Sequence, residues 1–309
     1  MKLSSQSNGV AYVAVTCMNT SMVSTLQPFK LAPSSRDLGP MSCPPKERPH
    51  PITKEHIPVT MGHEFSGRII SAPPSSGLTP DQAVIVDPRI FCRSCSRCKD
   101  GNTNGCMTLG FKGLSGTGGG FSSMIAVDAR MCHPLPNDTD LSLAALIEPL
   151  TVAWHAITAT NISSWSSRSV LVVGGGPVGI ACVFVLRAFG CRKIIVSEPT
   201  AVRAEQNRAI ADVLLNPIED DVGGRCRELT GGAGVDIVFD CAGNQKGFEA
   251  GMDALRYRGC YMNVAVWFGS PVSYEIYRYR NLRSRLMDGC SCNADANPVL
   301  FIHAERDHG

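Results

Sequence analysis

Four cysteines stand close together in CRSCSRCKDGNTNGC, as Cys92, Cys95, Cys98 and Cys106. The spacing C-x2-C-x2-C-x7-C lets four thiolates converge tetrahedrally on one Zn²⁺ at about 2.3 Å each. Four protein ligands leave no open position, so such a site holds a lobe together and carries out no reaction. The alternative, four unrelated buried thiols, does not account for their bunching in a polar loop rich in Gly and Asn. A second pair of ligand-type residues, His63 and Glu64, lies in VTMGHEFSG. Taken alone, that pair also reads as a strand-end His–Glu satisfied by its neighbours. The third candidate is GGGPVG, which sets Gly174, Gly176 and Gly179 in the pattern G-x-G-x-x-G. The apolar run SVLVV leads into it and a helix opening with Pro177 and Val178 leads out, the context that the pattern requires. The first glycine permits a tight turn and the second lets the backbone approach a pyrophosphate. The third allows the helix to pack on the strand, and the helix N-terminus offers free N–H donors. About twenty residues further on, Glu198 closes the next strand. A carboxylate there accepts hydrogen bonds from the adenosine ribose and repels a 2′-phosphate, which favours NAD over NADP. Arg203 keeps NADP open as the alternative, although it is expected to lie flat on the adenine.

These residues need elements to hold them. Residues 58–135 carry short apolar alternations separated by Gly/Pro turns (SGRIISA, AVIVDPRIF, FSSMIAVDA), which predict a small all-β unit. Residues 1–58 mix Pro, Ser, Lys and Arg with little periodicity and are expected to be irregular. From about residue 151 strands and helices alternate: SVLVVGGG, PVGIACVFVLRAFG, KIIVSEP, AVRAEQNRAIA, VLLNP, DDVGGRCRELT, VDIVFDCAG, QKGFEAGMDALR and CYMNVAVW. Five strands with crossover helices predict an α/β domain with a doubly wound parallel sheet. After Pro271 the alternation stops, so the last strand of that sheet is expected to be missing and the fifth to form an exposed edge.

A chain of 309 residues can bury the cores of two domains. Its 44% hydrophobic and 18% charged residues are those of an ordinary globular protein. A net charge of +2 supplies no field for nucleic acid or an anionic membrane. No apolar run is expected to reach the roughly 18 residues of a membrane span, and Lys2 with GVAYVAV makes a poor signal peptide. Of 14 cysteines, only four are clustered. That distribution points to a metal site plus free thiols in a reducing compartment, and hence to the cytoplasm.

The stretches PHPITKEHIPVTMGHEFSG, the cysteine lobe, LGFKGLSGTGGGF, AALIEPLTVAWHA, GGGPVG, IIVSEP and FDCAG run almost unbroken over residues 38–272. On them the chain resembles the zinc-dependent medium-chain alcohol dehydrogenases, nearest to the butanediol dehydrogenase branch, with sorbitol and xylitol dehydrogenases close by. The resemblance implies a GroES-like catalytic domain over residues 38–151 and a Rossmann domain over 152–273, flanked by aberrant segments 1–37 and 274–309. It implies NAD-dependent oxidation of a secondary alcohol or vicinal diol, with 2,3-butanediol/acetoin as the first expectation, in a homodimer or homotetramer. It also implies a catalytic zinc at His63, Glu64 and Glu148, where the metal serves as a Lewis acid. Trp154 and His155, next to the EPL element, are expected to pack around the site without binding the metal. His50, His56, His133, His303 and His308 receive no role.

The family's catalytic cysteine, in a segment like CGICGSDLHEY, is not readable in this chain; Cys17 sits in VTCMNTS and Cys43 in MSCPP. Shifted by two bases, the degenerate codons of GVAYVAVTCMNTS can encode CGICGSDLHEY. The reading that follows is a frame error upstream and a retained short intron over roughly residues 22–37. A chain without that cysteine is expected to be catalytically impaired.

Overall fold

The computed structural model describes residues 9–17, 50–54, 60–115, 117–267 and 285–288. Residues 18–21 of the segment read out of frame, the expected intron over residues 22–37, Cys43, His56, His303, His308 and nearly all of the tail lie outside the described residues. The chain forms two compact units whose boundary in sequence falls between Glu148 and Pro149.

The first unit contains β1 (Val10–Cys17), β2 (Phe65–Ser71), β3 (Ala83–Val86), β4 (Arg89–Ile90), the short helix α1 (Ser96–Lys99), β5 (Gly110–Phe111), β6 (Met124–Asp128), β7 (Cys132–Pro134) and α2 (Leu141–Ala144). Five strands form one antiparallel sheet in the order β6-β1-β2-β3-β7, and β4 pairs with β5. Alternate residues build the core: Ala11 and Val13 of β1, Phe65 and Ile69 of β2, Val84 and Val86 of β3, and Ile125 and Val127 of β6. Tyr12, Ile70 and Met124 take the exposed positions between them. This corrects the expectation of an irregular N-terminal segment, because Val10–Cys17 is a central strand with β2 on one side and β6 on the other. Its period of two is carried by small Ala and Val residues, which gave a weak signal beside the Pro- and Ser-rich surroundings. At its end the ladder sets Cys17 opposite Phe65. A Cβ on Gly67 would lie 2.2 Å from the Ala14 carbonyl oxygen, so β1 and β2 come this close only around a glycine.

The helix α3 (Ile147–Ala159) leads into the second unit, which contains β8 (Ser169–Val173), α4 (Pro177–Ala188), β9 (Lys193–Ser197), α5 (Ala201–Asn207), β10 (Val213–Leu215), α6 (Val222–Leu229), β11 (Val235–Asp240), α7 (Gln245–Ala254), β12 (Leu255–Asn263) and β13 (Arg285–Asp288). All pairs in this sheet are parallel, in the order β10-β9-β8-β11-β12-β13. The order reverses beside β8, which puts the crevice of a doubly wound sheet at its C-terminal end. Val170 to Val172, Ile194 to Val196 and Ile237 to Phe239 are buried on both faces, as strands covered by helices must be. The five expected strands are present, with one correction at the edge. β13 pairs with β12 from Cys260↔Arg285 to Asn263↔Asp288, so β12 is an inner strand. RLMD is short and lies in a strongly charged stretch, which hid it from pattern reading.

Another expectation needs amending. The run Leu141–Ala159 is long and apolar enough to cross a bilayer by length and composition. Within it α3 carries Glu148 in its first turn and buries Ala153, Ala156 and Ile157 among the core residues of the second unit.

Three strands of this sheet are tied at their N-terminal ends by Asp236. One carboxylate oxygen accepts from Arg168 Nη1 at 3.1 Å and faces Arg256 Nη2 at 2.9 Å. The other accepts from the Ser169 N–H and hydroxyl, both at 2.9 Å. Burial alone would raise the Asp236 pKa, but these four donors together hold it below the usual carboxylate range. The stabilisation is therefore present above the unfolded-state pKa of about 3.9 and is lost as pH falls through the lower folded value. Asp236→Asn is expected to destabilise the fold by about 1–3 kcal/mol near neutral pH. Denaturant unfolding at stepped pH should show the gap to the parent closing below about pH 4.

Candidate functional site

His63 and Glu64 immediately precede β2, and their placement depends on the backbone just before them. Gly62 has φ +100°, a conformation that favours glycine. A glycine-rich arm crosses this segment with three short hydrogen bonds: Gly119 N–H to the Thr60 carbonyl at 2.7 Å, Gly120 N–H to Gly62 at 2.7 Å, and Phe121 N–H to Met61 at 2.8 Å. A Cβ on Gly113 would sit 2.3 Å from the Gly62 oxygen, and one on Gly119 only 2.2 Å away. The arm can approach only because it lacks side chains. The Phe111 ring then meets the His63 imidazole edge-on, with centroids 6.2 Å apart.

Glu148 reaches the same place from the other end of the unit. The buried Ser66 hydroxyl donates to the Leu141 carbonyl and ties α2 to β2, while Ala144 and Ala145 fill the space behind. Glu148 follows in the first turn of α3, where the helix dipole favours a carboxylate. One ligand atom from each of His63, Glu64 and Glu148 lies within 4.8 Å of the other two. All three residues are half-buried. Burial lowers the His63 pKa and so favours the neutral imidazole that binds metals. Burial raises the Glu64 pKa, and a nearby cation would offset that cost to its carboxylate. One nitrogen and two carboxylates suit a divalent ion and leave coordination positions for a further oxygen ligand.

In the cysteine lobe, Sγ atoms of Cys92, Cys95, Cys98 and Cys106 all lie within 4.8 Å of one another, and none is in a disulfide. Backbone N–H groups point at the sulfurs: Cys95 to Cys92 at 3.3 Å, Cys92 to Cys106 at 3.3 Å and Thr108 to Cys106 at 3.4 Å. Donors of this kind favour thiolates. The Ser94 hydroxyl and N–H hold the Cys92 thiol down to about 5. Burial, with the neighbouring sulfurs, pushes Cys98 up to about 12. Two thiolates about 4 Å apart repel by about 4 kcal/mol at an effective dielectric of 20, so four ionise together only around a cation. The lobe fits the closed tetrahedral zinc site expected from its spacing.

In the second unit, Gly174 has φ +92° and donates its N–H to the Ser197 carbonyl at 2.8 Å. Gly176 caps α4, and Pro177 and Val178 open its first turn. A Cβ on Gly179 would lie 2.0 Å from the Gly174 oxygen, which is the close helix–strand contact expected of the third glycine. Glu198 is only 4% exposed. Its Oε2 accepts from the Gly175 N–H and its Oε1 from the Thr200 N–H, both at 2.8 Å. The Arg203 guanidinium lies 3.8 Å from where a Gly176 Cβ would be. Trp154 packs against Phe189 with centroids 4.8 Å apart and the rings tilted by 52°, and His155 is exposed. His50 accepts the N–H groups of Ile52 and Thr53 in a local turn, and His133 lies exposed on β7. Sequence reasoning missed the structural use of Gly113, Gly119 and Gly120; the run GTGGG was the available signal of close backbone contact.

A four-thiol lobe, an imidazole–carboxylate cluster and a parallel sheet with a dinucleotide loop define a metal-dependent oxidoreductase architecture. Residues 43–137 match the alcohol dehydrogenase GroES-like domain, and residues 177–298 match the zinc-binding dehydrogenase domain. The (R,R)-butanediol dehydrogenase of Neisseria gonorrhoeae is 36% identical over 242 residues, covering 77% of this chain and 67% of that protein. That of Saccharomyces cerevisiae is 32% identical over 257 residues, covering 77% and 66%. Among solved structures, 2R,3R-butanediol dehydrogenase from Bacillus subtilis superposes with a TM-score of 0.75 at 25% identity, covering 93% of this chain and 79% of that one. A zinc-binding dehydrogenase from Sinorhizobium meliloti bound to NADP gives 0.69 at 25% identity, covering 75% and 68%. The chain belongs to the zinc-binding dehydrogenase family. It spans 61–67% of the length of the first three curated relatives it matches.

Because the glycine arm fixes the backbone before His63, Gly119→Ala is expected to disturb the His63 site and leave the cysteine lobe loaded. Metal analysis should show about two zinc ions per parent chain falling to about one in the variant.

Proposed function

We propose that this chain is an NAD-dependent dehydrogenase of a secondary alcohol or vicinal diol, with 2,3-butanediol and acetoin as the first pair to test. The observation that carries the reading is the convergence of His63, Glu64 and Glu148 within 4.8 Å, in a unit that also holds the four-cysteine lobe. A divalent ion bound there supplies a Lewis acid for the substrate oxygen. The chain's own residues do the rest. His63 stays neutral, the two carboxylates balance the ion's charge, and the glycine arm keeps the ligands in place. Gly174, Gly176 and Gly179 with the N-terminus of α4 receive the pyrophosphate, and Glu198 stands where the adenosine ribose would lie. In this reading residues 38–151 form the catalytic domain and residues 152–273 the dinucleotide domain. The partners are a small alcohol or diol and further copies of the chain in a homodimer or homotetramer. The ten cysteines from Cys92 to Cys260 are free, in keeping with a reducing cytoplasm.

Two observations favour further readings of the same site. Arg203 beside Gly176, together with the NADP-bound relative, speaks for NADP. Among the residues from 50 onward whose side chains are described, no cysteine joins His63, Glu64 and Glu148, and a site of one nitrogen and two carboxylates speaks for weaker, oxygen-preferring metal binding and a catalytically impaired dinucleotide-binding protein.

The test is reduced-nicotinamide formation by zinc-replete protein, with NAD or NADP, against 2,3-butanediol, sorbitol and xylitol. Turnover with NAD and the diol supports the dehydrogenase reading. Glu198→Ala should weaken NAD about tenfold, equivalent to about 1.4 kcal/mol, and narrow its advantage over NADP. Dinucleotide binding without turnover supports the impaired reading, and turnover with NADP alone overturns the NAD assignment.

A further inference from the structure

The residue between the first two motif glycines, Gly175, is an unspecified position in G-x-G-x-x-G, yet its peptide groups are held by side chains on both sides. Its N–H donates to Glu198 Oε2 at 2.8 Å. Its carbonyl accepts from Asn207 Nδ2 at 2.9 Å, and the same NH2 group also donates to the Arg203 carbonyl at 2.8 Å. Asn207 lies at the end of α5 and is 0% exposed. Its Oδ1 is buried and accepts no hydrogen bond among the described residues. The two carbonyls dictate the amide's orientation, because the swapped arrangement would set oxygen against oxygen. An apolar side chain in this place would avoid an unsatisfied acceptor, so the use of Asn207 lies in its NH2. A Cβ on Gly175 would come within 2.6 Å of that nitrogen, so a side chain here would displace the Asn207 amide.

We infer that Asn207 is a positioning residue for dinucleotide binding, setting the direction in which the Gly176 N–H points. In a planar trans peptide the C=O and the following N–H point opposite ways. Asn207 draws the Gly175 carbonyl inward, so the Gly176 N–H, at the N-cap of α4, is turned outward as a donor. Anions are bound at helix N-termini by donors of this kind. Glu198 completes the hold from the N–H side of Gly175, and the loop is oriented before any ligand arrives.

This inference rests on the dinucleotide reading above, and the experiment separates the two. NAD and NADP are titrated calorimetrically into the full-length parent, Asn207→Ala and Asn207→Asp, with thermal unfolding recorded for each. Both variants are expected to bind about tenfold more weakly, since both lack the NH2 donor. Asn207→Asp keeps the volume, so a packing role would weaken only Asn207→Ala and would overturn the inference, as would parent-like binding by both. If the parent binds neither dinucleotide, the dinucleotide reading fails and the inference with it. A readout on the parent remains if neither variant folds. Without dinucleotide, the Gly175 N–H held by Glu198 should exchange as slowly as the amides of β8 while the outward Gly176 N–H exchanges fast; fast exchange at Gly175, or slow exchange at Gly176, would overturn the inference.

Discussion

Backbone meets backbone at Gly62, and the candidate metal centre depends on that contact. Gly113 and Gly119 bring a second stretch of main chain against Met61 and Gly62 at a distance that no side chain would allow, and the Gly120 N–H adds a hydrogen bond to Gly62. The short hydrogen bonds made there fix the segment from which His63 and Glu64 project. Burial then acts on those two residues in opposite senses, keeping the imidazole neutral and making the carboxylate costly. A cation resolves the cost. The lobe of four cysteines obeys the same rule more strictly, since its thiolates repel one another until a metal joins them.

The second unit solves a related problem with side chains. Its glycine loop must offer N–H groups to an anion while its other peptide groups stay satisfied. Glu198 and Asn207 take the inward-facing N–H and C=O of Gly175. The loop is held by residues from the end of β9 and from α5, which links its geometry to the residues next to the expected adenosine site. Glu198 thus serves the loop as well as the ribose reading, and a change there acts on both.

Local spacing made much of this legible. The cysteine cluster, the glycine motif and the strand–helix alternation from β8 to β12 each lie within a short window, and each appears in the fold as read. Val10–Cys17 was not legible because its partners, β2 and β6, lie some fifty and more than a hundred residues away in sequence and its own pattern is small and weak. β13 was hidden by charge and shortness. The glycine arm was visible as composition, but its purpose rests on a contact between segments about fifty residues apart. Asn207 carried no signal at all, since a polar residue near the end of a charged helix reads as surface, whereas here it is fully buried.

The ladder that sets Cys17 opposite Phe65 concerns backbone only, and the composition of the metal centre is a question for the metal itself. Zinc K-edge X-ray absorption on the purified chain tests the central claim most directly. The account predicts two environments in about equal amounts, one of four sulfurs at about 2.3 Å and one with nitrogen and oxygen ligands at about 2.0–2.2 Å. A single all-sulfur environment with one zinc per chain would contradict it.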